Sequence, residues 1–126
     1  MTKVGTVLYV DDEPLNLMVF EAVFKNTYTV VSALSGEAAL EQLRATAGID
    51  VVIADLSMPR INGLELIALV KKEFPTMPCY LLTGYDLTDV IEKSIESGHV
   101  RKCFGKPIQH DLIDKELRQV LNKVQP

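Results

Sequence analysis

Asp50-Val51-Val52-Ile53-Ala54-Asp55-Leu56-Ser57-Met58-Pro59 is the stretch on which the reading of this chain turns. Residues 51–54 are short, rich in β-branched side chains and without polar alternation, the pattern of a central strand buried on both faces of a parallel sheet. Asp55 stands where that strand runs out. Open α/β sheets bind ligands beyond the carboxyl ends of their strands, so a carboxylate there is a candidate site residue as readily as a turn cap. The other strand ends decide between the two.

Upstream, residues 4–10 read as another buried strand, ended by Asp11-Asp12-Glu13-Pro14. Pro14 suits a first helical turn, where its missing N–H would have no intrahelical partner. The helix beyond it, to about Lys25, is expected to bury Leu15, Met18, Val19, Ala22 and Val23. Residues 28–32 read as a short strand. Ser35 is a candidate N-cap for a helix carrying Ala38, Ala39 and Leu43, with Glu37 near its positive end. Gly48 marks the turn into the central strand.

Downstream, Asn62 and Glu65 have the spacing of a capping box, ahead of a helix with the stripe Leu64, Ile67, Ala68 and Leu69, stopped by Pro75. Cys79–Thr83 is a fourth strand, left through Gly84. Asp86 is expected to cap a helix through Ser97, closed by Gly98. A fifth strand over about 102–105 ends in Lys106-Pro107, and a last helix repeats Ile113, Leu117, Val120, Leu121 and Val124 at helical spacing. Five strands alternating with five helices predict an α/β fold: a parallel sheet with right-handed crossovers and helices on both faces.

At 126 residues the chain is expected to form one domain, with a core over about 4–124 and no output domain. Its 48% hydrophobic and 24% charged residues are those of a globular protein, and the net charge of −4, without a basic patch, argues against direct nucleic acid binding. No apolar run approaches the ~20 residues needed to span a bilayer, and no signal-peptide core precedes the first strand, so a cytoplasmic protein without membrane contact is expected. Cys79 and Cys103 lack CxxC spacing and read as reduced core thiols. His99 and His110, isolated near helix ends, read as solvated or dipole-facing.

In a parallel sheet the strand ends share one edge. That edge collects Asp11 and Asp12 from the first strand, Asp55 from the third, Thr83 from the fourth and Lys106 from the fifth. Two like charges ~4 Å apart repel by about 1 kcal/mol in water and about 4 kcal/mol at an effective dielectric near 20. Lys106 offsets part of that repulsion, and a divalent cation would offset the rest. Oxygen ligands without His or Cys point to Mg²⁺, with Mn²⁺ or Ca²⁺ as substitutes. A carboxylate beside a cation and a lysine is equipped to attack phosphorus while positive charge neutralises the equatorial oxygens. Asp55 is then the nucleophile, with the Thr83 hydroxyl and a backbone N–H near Gly84 as further donors.

Val10-Asp11-Asp12-Glu13, Asp55-Leu56-Ser57-Met58-Pro59 with Gly63, Leu82-Thr83-Gly84 and Lys106-Pro107 together closely resemble the receiver domain of bacterial two-component response regulators, over about residues 4–124. The resemblance implies a flavodoxin-like (βα)5 three-layer sandwich with strand order 2-1-3-4-5. It implies a phosphoacceptor module of a phosphorelay, in which Asp55 takes a phosphoryl group from a phosphohistidine on a sensor histidine kinase or phosphotransfer protein. Asp12, Asp55 and the Ser57 carbonyl would ligate Mg²⁺, with Asp11 acting largely through water. Ser57, Thr83, Gly84 and Lys106 would contact the phosphoryl group. Lys106-Pro107 would be a cis peptide bond.

Thr83 would be the switch residue, and the partner surface, including that of a homodimer, would be the fourth helix, fifth strand and fifth helix. Many receivers carry Tyr or Phe three residues before the lysine, where this chain has Cys103, while Phe104 should face the other way. Coupling through Thr83 and the backbone is therefore expected. Ser57 and Tyr85 occupy positions that in receivers tend to set the rate of dephosphorylation. Chemistry would be limited to self-phosphotransfer and autodephosphorylation.

Two alternatives from other classes stand beside this reading. An aspartate-nucleophile phosphohydrolase usually needs a second Asp two residues beyond the nucleophile, where this chain has Ser57. A receiver-like scaffold working without phosphorylation would tolerate Cys103, but has no need of the full set Asp11, Asp12, Asp55, Thr83 and Lys106.

Overall fold

The computed structural model describes residues 3–84 and 89–122. Elements alternate along the chain: β1 (Thr6–Val10), α1 (Pro14–Phe24), β2 (Thr29–Ala33), α2 (Gly36–Ala45), β3 (Val51–Asp55), α3 (Gly63–Glu73), β4 (Cys79–Thr83), α4 (Asp89–Glu96), β5 (Lys102–Gly105) and α5 (His110–Asn122). The strands form one parallel sheet of order β2-β1-β3-β4-β5, the flavodoxin-like arrangement. Every residue of β3 and β4 is buried, as a central strand covered on both faces requires.

Alternation along the strands sorts the core into two layers. Leu8, Val10, Val52, Ala54, Cys79 and Leu81 face α2, α3 and α4, meeting Leu40, Leu43, Leu66, Ile67, Val70 and Ile91. Val7, Tyr9, Val51, Ile53, Tyr80, Leu82 and Phe104 face α1 and α5, meeting Phe20, Phe24, Ile113, Leu117 and Val120. On that second face two buried phenols reach α5: Tyr28 donates to Asp114 Oδ1 at 2.8 Å and Tyr80 to Glu116 Oε2 at 2.9 Å.

The helix starts follow local chemistry. Ser35 Oγ accepts from the Ala38 N–H at 3.1 Å, and Asn62 and Glu65 form a reciprocal capping box with bonds of 2.8 and 3.0 Å. Gly48 and Gly98 take φ of +89° and +87°, open to glycine at little cost. The Asp86 cap and Val124 lie outside the described residues.

The structure corrects two helix faces. In α1 the buried residues are Phe20 and Phe24, with Leu17 packed beside them, whereas Leu15 and Met18 are each 68% exposed and Val19, Ala22 and Val23 also face outward. The helix is apolar nearly all round, so periodicity does not choose a face; aromatic area does, and Phe20 stacks on Tyr9 with centroids 4.1 Å apart. In α3 the stripe is Leu66, Ile67 and Val70; Leu64 is half-buried, and Ala68 and Leu69 point to solvent. Cys79 is a buried core thiol, pushed up to about 12 by burial, but Cys103 is only half-buried.

Candidate functional site

The C-terminal edge of the sheet carries the acidic cluster. Asp11 follows β1 directly, its N–H bonded to Ala33 O at 3.1 Å, so the β1–β2 ladder fixes where its side chain starts. That carboxylate is 0% exposed and fully partnered. Oδ2 accepts from the Tyr9 hydroxyl at 2.9 Å and from Asn16 Nδ2 at 3.1 Å, and Oδ1 accepts from the Glu13 N–H at 3.0 Å. Asp12, next along, is half-buried.

Asp55 is the last residue of β3 and is 5% exposed. Its backbone is held by close packing with α3. The Gly63 N–H bonds Leu56 O at 3.0 Å, and a Cβ on Gly63 would lie 2.5 Å from Asp55 O and 2.8 Å from a Leu81 methyl. Only glycine lets the helix start so near the strand end. Between them Arg60 sits at φ +66°, with the Ile61 N–H bonded to Pro59 O at 2.8 Å, a tight turn that a non-glycine residue rarely adopts.

Lys106 reaches back from beyond β5. Its Nζ lies 3.0 Å from Asp55 Oδ1 and 3.8 Å from Asp11 Oδ2, and its N–H bonds Thr83 O at 2.9 Å. Thr83 closes β4, buried, opposite Gly105 in the β4–β5 register. The Lys106–Pro107 peptide bond is cis. Gly84 is exposed at the end of β4 and Ser57 is exposed in the loop after Asp55; Tyr85 lies outside the described residues.

Burial raises the Asp55 carboxyl above its ordinary range; the Lys106 hydrogen bond opposes this, and the charges of Asp11 and Asp12 reinforce it. Carboxylate oxygens of Asp11, Asp12 and Asp55 lie within 4.8 Å of one another. Neighbouring oxygens around an octahedral Mg²⁺ sit about 3 Å apart, and opposite ones about 4 Å, for bonds of ~2.0–2.1 Å. A small closing motion therefore brings this all-oxygen set into the range of a hard divalent cation.

The two switch candidates face opposite ways. Cys103 packs toward the α2–α3–α4 layer, whereas Phe104 is buried toward α1 and α5, stacked on Tyr80 with centroids 5.4 Å apart. Sequence reasoning did not identify Tyr9 and Asn16 as part of the acidic site. Tyr9 was legible in principle, since residues two apart on a strand share a face.

The chain matches the family model described as "Response regulator receiver domain" over residues 7–118. It is 26% identical over 117 residues to a cyclic di-GMP phosphodiesterase of Thermotoga maritima, covering 92% of this chain and 31% of that protein. It is 31% identical over 119 residues to the two-component response regulator ARR2 of Arabidopsis thaliana, covering 93% of this chain and 18% of that protein. The chain thus spans less than a third of the length of either relative. Among solved structures, the signal receiver domain of an HD domain-containing protein from Pseudomonas fluorescens Pf-5 superposes with a TM-score of 0.85 at 28% identity, covering 94% of this chain and 95% of that one. Five parallel strands in order 2-1-3-4-5, an acidic cluster at their C-terminal edge and this match over most of the chain have one explanation: the protein belongs to the response regulator receiver domain family.

Proposed function

We propose that Asp55 is the phosphoacceptor of a two-component phosphorelay. The observation that carries this is the 3.0 Å approach of Lys106 Nζ to Asp55 Oδ1 inside a trio of clustered carboxylates. A carboxylate oxygen of Asp55 attacks phosphorus of a phosphohistidine; the new P–O bond forms as the P–N bond breaks, and the imidazole leaves with its electron pair and takes a proton from solvent. Asp11, Asp12, Asp55 and the Ser57 carbonyl would hold Mg²⁺, which supplies charge neutralisation at the phosphoryl oxygens. Mn²⁺ would serve in its place. Lys106 holds the acceptor oxygen and then pairs with the phosphoryl group, to which Thr83, Ser57 and a backbone N–H near Gly84 also donate. Tyr85, by its sequence position two residues beyond Thr83, is assigned a part in setting the rate at which the product is hydrolysed.

All 126 residues act as one receiver unit in the cytoplasm, with self-phosphotransfer and autodephosphorylation as their only chemistry. The donor is a sensor histidine kinase or phosphotransfer protein. Because Asp55 is buried, the donor imidazole has to enter from the strand-end edge, and α1, which starts three residues after Asp11, carries exposed Leu15, Met18 and Val19. Beside them a cavity of about 140 Å³ is lined by Tyr9, Asn16, Val19, Leu82, Lys106 and Ile108 among others. Output runs through Thr83 and the backbone bond it shares with Lys106 to the surface of α4, β5 and α5, where a homodimer or downstream target binds.

Intact mass measurement after incubation with acetyl phosphate tests the central claim. One phosphoryl adduct is expected on the wild type, dependent on Mg²⁺, and none on Asp55→Asn. No adduct on the wild type, or an equal adduct on the variant, would refute it.

A further inference from the structure

We propose that Tyr9 is a positioning residue for Asp11, holding that carboxylate in the orientation a divalent cation requires; the inference rests on the reading of the acidic cluster as a cation site. Tyr9 is buried in β1, its ring stacked nearly parallel on Phe20 with centroids 4.1 Å apart, and its hydroxyl donates to Asp11 Oδ2 at 2.9 Å. The other two fully buried tyrosines, Tyr28 and Tyr80, send their hydroxyls away from the cluster, to Asp114 and Glu116 of α5. Tyr9 alone among these three spends its hydrogen bond on the acidic site.

A carboxylate turns easily about its last side-chain bond, where the torsional wells are broad. Asp11 has a reason to turn, since like charge on Asp12 and Asp55 pushes it outward. Tyr9 and Asn16 oppose that by binding Oδ2, and the Glu13 N–H anchors Oδ1 at 3.0 Å. The Tyr9 bond comes from beneath, out of the packed core, and its geometry is set by an aromatic stack that the loop cannot move. Donors also drain charge from a ligand and so weaken its pull on a cation. Orientation is the larger effect, because removing such outer partners typically costs about 10–100-fold in metal affinity.

The test is Tyr9→Phe, which deletes the hydroxyl and keeps the ring on Phe20. Mg²⁺ affinity of the purified chain is read by calorimetric titration, and thermal melts are run with Mg²⁺ and with EDTA. Tyr9→Phe should weaken Mg²⁺ binding by about tenfold and shrink the gain in Tm that Mg²⁺ confers. Tyr28→Phe, which removes a comparable phenol bond far from the cluster, should lower Tm equally in both buffers and leave the affinity unchanged. Should Tyr9→Phe not fold, Asn16→Ala removes the second donor from a half-buried helical position and should also weaken Mg²⁺ binding. Wild-type binding of Mg²⁺ with the Tyr9→Phe affinity within about twofold of it, or the Asn16→Ala affinity where Tyr9→Phe does not fold, would overturn the role of Tyr9 alone. Failure of the wild type to bind Mg²⁺ would overturn the cation site and this role with it.

Discussion

Replacing Asp55 by Asn should stabilise the metal-free protein. The substitution removes one of three carboxylates whose oxygens lie within 4.8 Å of one another while keeping an oxygen that can accept from Lys106. At an effective dielectric near 20, a pair of unit charges no more than 4.8 Å apart repels by at least about 3.5 kcal/mol, so Asp11 and Asp12 together oppose the Asp55 charge by at least about 7 kcal/mol. Lys106 at 3.0 Å returns about 5.5 kcal/mol. The balance, at least about 1.5 kcal/mol against the charge, is deepened by burial. For a domain of this size that corresponds to a rise in Tm of roughly 4–8 °C, read by thermal and urea unfolding in EDTA at neutral pH.

The pH dependence carries an independent sign. Burial first, then Asp11 and Asp12, raise the folded-state carboxyl of Asp55 above its ordinary 3.8, with Lys106 opposing. Between the unfolded and folded values the native state binds more protons, so wild-type stability falls as pH rises through that window. The advantage of Asp55→Asn should therefore be small below the ordinary carboxylate value and grow as pH rises above it. Added Mg²⁺ should narrow it, because a ligand of the native wild type stabilises by mass action. A variant less stable than wild type in EDTA, or a difference that does not grow with pH, would refute the electrostatic account of the cluster.

Two further substitutions probe the frame around the site. Gly63→Ala places a methyl 2.5 Å from Asp55 O and 2.8 Å from Leu81, contacts that force backbone apart; a loss of about 2–3 kcal/mol is expected in urea unfolding, together with a lower rate of phosphorylation by acetyl phosphate. Met18→Glu, on the outward face of α1, should change stability by no more than about 0.5 kcal/mol and leave phosphorylation by acetyl phosphate unaltered, whereas burial of that face would make it severely destabilising.

The parts of this protein that were legible from sequence are those where a single local rule dominates. Residues 51–54 have no polar position, so they had to be central, and an acid, a hydroxyl or a lysine at successive strand ends had to meet once the strands were parallel. Helix α1 was misread for the opposite reason. Leu15, Met18, Val19, Ala22 and Val23 make as regular a stripe as Leu17, Phe20 and Phe24, and what separates them is the stack of Phe20 on Tyr9, a contact between elements that no window of sequence contains. The same applies in α3, where Val70 displaces Leu69 from the interior. Asn16 was missed because its partner is five residues back across a helix start, outside the i+3 and i+4 spacings that helical patterns reveal.

The two phenol bonds give α5 a fixed seat on its face of the sheet. Tyr28 and Tyr80 rise from different parts of the chain and meet acceptors two residues apart, Asp114 and Glu116, so they grip α5 like two pins through one plate. Sliding that helix by a turn would strand both hydroxyls, each unmet buried donor costing about 1–3 kcal/mol. On the opposite face Ile91 and Ile95 of α4 join the apolar core beside α2 and α3. Any rearrangement that slides α5 along the sheet has to break both phenol bonds at once, so this helix moves as a unit with the layer beneath it or not at all.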